Sequence, residues 1–106
     1  MKVVLSGSSG FIGSHLMVRL EQLGHTVVRI RRFMLYNQKV LRQFIRLSEP
    51  DYIFALHAYG NMAHQKEEQA IFEANVVGTW NMLMASKDIP YKAFINVSTS
   101  SVGLAY

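Results

Sequence analysis

Apolar positions along this chain alternate between short β-prone runs and stripes at helical spacing. Val3-Val4-Leu5 is the first run, and it leads straight into three glycines, Gly7, Gly10 and Gly13. Beyond them, Phe11, Leu16, Leu20 and Leu23 form the expected apolar side of a helix over 11–23. The alternation predicts strand 2–6, helix 11–23, strand 25–31, helix 38–48, strand 51–57, a long helix 65–87 and strand 93–98. Asn37 suits an N-cap before Gln38-Lys39-Val40-Leu41, because its side-chain oxygen can accept from a free helical N–H. Pro50 stops the second helix and Asp51 opens the next strand. Tyr52 to Leu56 is nearly all apolar, as a strand buried on both faces requires. The long helix is expected to turn Ile71, Phe72, Val76, Thr79 and Leu83 inward. Gly78 interrupts it at a propensity cost of about 1 kcal/mol, which a close contact with the sheet or another helix would explain. Met17, Met34, Met62, Met82 and Met84 read as core and edge filler.

Strand and helix in alternation imply an α/β fold: a partial doubly wound parallel sheet of about four strands with right-handed crossovers and helices on both faces. The expected spatial order is second, first, third, fourth. The carboxyl ends of the strands then line one crevice, where such sheets bind ligands. Those ends carry Ser6, Arg31, His57 and Ser98, and all four are polar.

The glycine turn narrows the chemistry. A strand, a turn with glycines at every third position and a helix together form the physical recipe for holding a pyrophosphate. The first glycine takes a backbone conformation closed to other residues. The second lets the backbone approach the phosphates, and the third lets helix and strand pack closely. The helix N-terminus offers unpaired N–H groups and the positive end of its dipole. A second strand at βαβ spacing supplies the context that a three-glycine pattern needs.

At 106 residues the chain is one domain at most. Half of it is apolar, and the charged fraction of 17% is that of a globular protein rather than a disordered one. There is no cysteine, which excludes a disulfide framework and thiolate chemistry. Neither a signal-peptide pattern nor an apolar run of membrane-spanning length is visible, so the expectation is a cytoplasmic protein with no membrane partner. The formal charge is +4, and Arg29, Arg31, Arg32, Lys39, Arg42 and Arg46 cluster in one segment. This block lacks interleaved aromatic positions on one strand face and lies where a dinucleotide's ribose belongs. It therefore argues against nucleic acid. The histidines show no metal-ligand spacing, so no metal is expected.

Four motifs together resemble the extended short-chain dehydrogenase/reductases, the family of NAD(P)-dependent sugar-nucleotide epimerases and dehydratases. GSSGFIGSHL at 7–16 is similar to the family's glycine-rich opening. PDYIFALHAYGN at 50–61 resembles its strand and loop beneath the cofactor. NVVGTWNML at 75–83 resembles a helix motif, and FINVSTSSV at 94–102 resembles the strand that delivers an active-site hydroxyl. The resemblance implies a Rossmann-like cofactor domain. Gly7, Ser9, Gly10, Phe11, Ile12 and Gly13 would wrap the pyrophosphate. Leu56, His57 and Ala58 would run beneath the adenosine and ribose. Asn75 would project toward the cofactor, or else bond backbone at the helix–sheet contact. Ser98, Thr99 and Ser100 would lie beside the substrate's reacting carbon, with Thr99 the first choice for the catalytic hydroxyl and Ser100 the second.

Departures from the family pattern are as informative. An acid normally ends the second strand and accepts bonds from both ribose hydroxyls. Here Arg31 and Arg32 stand there, and guanidinium donors suit a 2′-phosphate, so NADP is favoured over NAD. The family's histidine has moved two places along the third strand to His57. There it is either a satisfied core histidine or a donor to a phosphate or ribose. The family's Tyr-x-x-x-Lys pair is missing from residues 1–106: Tyr36 meets Lys39 one residue early, and Tyr59 meets Ala63. The expectation is an N-terminal dinucleotide-binding domain, 1–106, cut before the Tyr-x-x-x-Lys helix and the substrate domain. It would not be catalytically complete by itself, and a nucleotide-sugar substrate would bind only in a longer chain. The alternatives are a non-catalytic dinucleotide-binding sensor and an interaction domain that self-associates through an uncovered last strand.

Overall fold

The computed structural model describes residues 1–57 and 76–96. Four parallel strands form one sheet: β1 (Lys2–Ser6), β2 (Thr26–Ile30), β3 (Tyr52–Ala55) and β4 (Ala93–Asn96). Their spatial order is β2-β1-β3-β4, as the alternation predicts. The register places Leu5 beside Arg29 on one side and Phe54 on the other, with Ile95 beyond Phe54. Asp51 ties the amino ends together. Its carboxylate accepts from Lys2 N at 2.8 Å, its own N–H donates to the Lys2 carbonyl, and its carbonyl accepts from Lys92 N at 2.7 Å.

Side chains alternate across the sheet, so β1 feeds two layers. On one face Val4, Ile30, Ile53 and Ala55 pack with α2 (Gln38–Ser48) and α3 (Gly78–Ser86). Leu41, Ile45, Met82 and Ala85 close this core, and all four have no solvent access. On the other face Val3 and Leu5 are buried, and α1 (Phe11–Gln22) packs over β1 and β2. The cap on α2 is the expected one: Asn37 Oδ1 accepts from Val40 N at 3.1 Å. That helix ends at Glu49, which takes a left-handed conformation (φ 49°) just before Pro50.

Three expectations are corrected. Leu16 and Leu20 of α1 are half-buried, but Phe11 and Leu23 are exposed. They sit at the two ends of α1, Phe11 as its first residue and Leu23 as its C-cap. On α3, Val76 and Leu83 are exposed, and the inward positions are Gly78, Asn81, Met82, Ala85 and Ser86. The largest apolar side chains do not mark the inner face here, where small and polar residues, Gly78 among them, are buried instead. Finally, the connection from β2 to α2 contains a 3-10 turn, Arg32–Tyr36, whose Leu35 joins the core. The apolar pattern predicts no element over 32–36. The expected helical residues 65–75, including Ile71 and Phe72, lie outside the described residues, as do Met62 and the expected strand end at 97–98.

Candidate dinucleotide site

β1 ends at Ser6, and the chain turns at Gly7 with φ 76°, a conformation that costs a residue with a Cβ about 1–2 kcal/mol. The Gly7 carbonyl accepts from Gly10 N at 3.1 Å, and α1 begins with Ser14 N donating to the Gly10 carbonyl at 2.9 Å. The three glycines are required for different reasons. A Cβ on Gly7 would lie 2.5–2.6 Å from the Leu56 carbonyl and His57 N. A Cβ on Gly13 would lie 1.9 Å from the Gly7 carbonyl oxygen, so only glycine lets α1 start this close to the turn. A Cβ on Gly10 would meet nothing nearer than that same oxygen at 3.5 Å, an ordinary contact. Among the described residues, no atom therefore demands glycine at position 10.

The amino end of α1 has no capping side chain and no acid in its first turn. The N–H groups of Phe11, Ile12 and Gly13 precede the first intrahelical bond and are the helix's orphan donors. Phe11 and Ile12 are exposed beside them. The Phe11 and His15 rings meet at a tilt of 46° with centroids 4.5 Å apart, and His15 Nδ1–H donates to the Phe11 carbonyl at 2.7 Å. Ser9 is exposed at the tip of the turn.

Beneath the turn, His57 is bonded at both ring nitrogens. Ser6 Oγ lies 2.7 Å from Nδ1, and Thr79 Oγ1 lies 3.1 Å from Nε2. Burial pushes the His57 pKa below its ordinary value. The ring is thus satisfied within the protein, as a core histidine would be. It joins two of the polar strand ends, Ser6 and His57, to α3. Arg31 and Arg32 follow β2 and are exposed, and among the described residues neither is in an ion pair. Arg42 of the same basic segment differs, because its guanidinium pairs with Asp88 at 2.6 Å. Ala58, Asn75, Ser98, Thr99 and Ser100 lie outside the described residues.

Two residues that position the site were not singled out from the sequence for that role. Thr79 was expected only as part of an apolar face. Asn81 is buried in α3, where its Nδ2 donates to the Leu35 carbonyl at 2.7 Å and its Oδ1 accepts from Gln38 Nε2 at 3.2 Å. It thereby anchors the 3-10 turn that begins at Arg32. The readable signal was an asparagine between the apolar residues of Trp80 and Met82.

The sequence profile of the NAD dependent epimerase/dehydratase family matches residues 3–103. The chain belongs to that family. Over 96% of its length it is 32% identical to a probable UDP-glucuronate 4-epimerase of Rhizobium meliloti and 34% identical to UDP-glucuronic acid decarboxylase 2 of Arabidopsis thaliana. It spans only 38% and 26% of those relatives. Among solved structures, it is similar to the UDP-glucose 4-epimerase of Thermotoga maritima with UDP-glucose. The TM-score is 0.80 at 25% identity, over 93% of this chain and 38% of that one. The dTDP-4-dehydrorhamnose reductase of Bacillus anthracis in complex with NADP shares the fold, with a TM-score of 0.73 at 22% identity. That match covers 87% of this chain and 34% of the other. Among the described residues, no helix is long and apolar enough to cross a membrane.

Proposed function

We propose that this chain is the dinucleotide-binding part of an NAD(P)-dependent epimerase, dehydratase or reductase acting on a nucleotide sugar. The observation that carries the reading is Gly10. Protein packing accounts for glycine at positions 7 and 13, but among the described residues nothing crowds position 10. A ligand lying against the backbone there is what a side chain would obstruct. Orphan N–H groups from Phe11 to Gly13 face an anion at the same place. Gly7, Ser9, Gly10, Phe11, Ile12 and Gly13 would hold the pyrophosphate, and Leu56, His57 and Ala58 would run beneath the adenosine and ribose. Asn75 and Ser98 belong to the same site on the family pattern.

Arg31 and Arg32 favour NADP over NAD. Their donors match a 2′-phosphate, and no acid stands in their place to accept from the ribose hydroxyls. The nicotinamide supplies hydride transfer when bound. Thr99 or Ser100 would donate a hydrogen bond to the reacting oxygen of the sugar. A Tyr-x-x-x-Lys pair, absent from residues 1–106, would have to come from further sequence. The chain spans well under half of the relatives described above, which supports its reading as one part of such an enzyme.

Calorimetric titration with NADPH and then NADH, at one fixed salt concentration, tests this. Binding of NADPH in preference to NADH is the expected result. Arg31→Ala and Arg32→Ala should remove the preference while leaving NADH affinity unchanged. A folded chain that binds neither dinucleotide would refute the reading and leave an interaction domain in its place.

A further inference from the structure

The bond from His57 to Thr79 joins three elements at one point. Ser6 ends β1, His57 follows β3, and Thr79 lies in the first turn of α3. The Leu56 N–H is shared between the carbonyl oxygen and Oγ of Ser6, each at 3.2 Å. Ser6 Oγ therefore already accepts one bond. Its own O–H has no solvent access, so it needs an acceptor within the protein. Among the described residues that acceptor is His57 Nδ1 at 2.7 Å. A ring nitrogen that accepts carries no proton, so the proton of the neutral imidazole sits on Nε2. Nε2–H then donates to Thr79 Oγ1. One direction runs through the whole chain: Leu56 N–H to Ser6, Ser6 O–H to His57, and His57 N–H to Thr79.

The backbone of the same residue bears on the glycine turn. His57 N and the Leu56 carbonyl occupy the space where Gly7 would carry a Cβ. The position of this peptide thus limits where Gly7 can stand. The side chain attached to it is fixed at both nitrogens. We infer that His57 is a positioning residue: through Ser6 and Thr79 it holds the Leu56–His57 peptide beneath Gly7 and makes the shape of the glycine turn depend on α3. Its effect on nucleotide affinity rests on the dinucleotide-binding reading, whereas its effect on the turn does not.

Two variants of Thr79 test it at a distance from the turn. Thr79→Val keeps the β-branched shape and removes the acceptor, and Thr79→Ser keeps the hydroxyl. In the ligand-free chain at pH 7.5, ¹⁵N resonances of the His57 ring should report the Nε2–H tautomer. In Thr79→Val the Gly7 and Gly10 amide resonances should shift, and Gly10 N–H exchange should accelerate. The NADPH dissociation constant should rise about three- to tenfold, as the loss of one neutral hydrogen bond implies. Thr79→Ser should restore all three. An Nδ1–H tautomer, unmoved glycine amides in Thr79→Val, or an effect that serine does not restore would overturn the inference. If the unaltered chain binds neither NADPH nor NADH, the dinucleotide reading fails, and the ring and glycine resonances still decide the role of His57.

Discussion

A methyl group added at Gly13 would sit almost on the Gly7 carbonyl oxygen, whereas one added at Gly10 makes only an ordinary contact with that oxygen. Gly13→Ala should therefore destabilise the fold by at least about 2 kcal/mol, because backbone rather than a flexible side chain must move. Gly10→Ala should cost within about 1 kcal/mol, the scale of a changed N-cap residue, yet weaken dinucleotide binding markedly. Urea unfolding and calorimetry on the two variants check both halves. Equal loss of stability in the two would contradict the structure. His57 gives a prediction of a different kind. Burial lowers its pKa in the folded chain, so the unfolded chain takes up a proton first as pH falls. Stability from the neutral ring is complete above about pH 6.5 and is lost as pH falls from there through the folded value. Urea midpoints at pH 7.5 and 5.5 should differ more in the unaltered chain than in His57→Asn. The spacing of Gly7, Gly10 and Gly13 was legible because glycine has few reasons to recur in a turn. The partners of His57 were not, because a strand end and a helix 22 residues later meet only in three dimensions.

Between elements, two polar links join α3 and the turn just after it to the segment after β2, and they should differ in strength. Arg42 and Asp88 form an ion pair between largely exposed side chains. Such a pair contributes about 0–1 kcal/mol, and salt screens it. Asn81 is buried and holds the Leu35 carbonyl of the 3-10 turn. Asn81→Leu leaves that carbonyl without its partner and should cost about 1–3 kcal/mol. Arg42→Ala should cost less, and its effect should fade in high salt. Chemical denaturation of both variants at low and high salt makes the comparison. A larger loss in Arg42→Ala would refute this ranking. Apart from the 3-10 turn at Arg32–Tyr36 and the start of the long helix, which lies outside the described residues, the described elements were readable to within about two residues at their ends, since apolar runs and caps such as Asn37 are local signals. The inner face of α3 was misread for a physical reason. Its buried Gly78, Asn81, Ala85 and Ser86 are small or polar, and a hydrophobic stripe does not report such residues.

At the scale of the whole molecule, the main core lies between the sheet and the α2–α3 layer, while on the other face α1 packs over β1 and β2. Tyr52, Phe54 and Ile95 on that face are only half-buried. Domains of this size bury a modest share of their surface, so a bound ligand is a substantial part of their stability. NADPH at about one hundred times its dissociation constant should add about 2.7 kcal/mol to the unfolding free energy and raise the melting temperature accordingly. Thermal melts with increasing NADPH measure this, and a melting temperature that stays constant would count against the proposed function. Sheet order was legible in the sequence because crossover chirality leaves few arrangements for four parallel strands. The chemistry expected beyond Asn96 was carried by family motifs alone, since no periodicity identifies a catalytic hydroxyl among Ser98, Thr99, Ser100 and Ser101.

The strand order also has a consequence in time. β1 is a central strand, yet its two neighbours arrive late: Val3 pairs with Val27 and then with Tyr52. No two adjacent strands here are joined by a hairpin, and each pairing waits for a crossover to be made. Contacts this distant in sequence close slowly. During synthesis, at about 5–20 residues per second, β1 leaves the ribosome several seconds before the strand that completes it. In that interval it has an unpaired edge made of Val3, Val4 and Leu5, which is when a nascent chain of this design most needs protection from other chains.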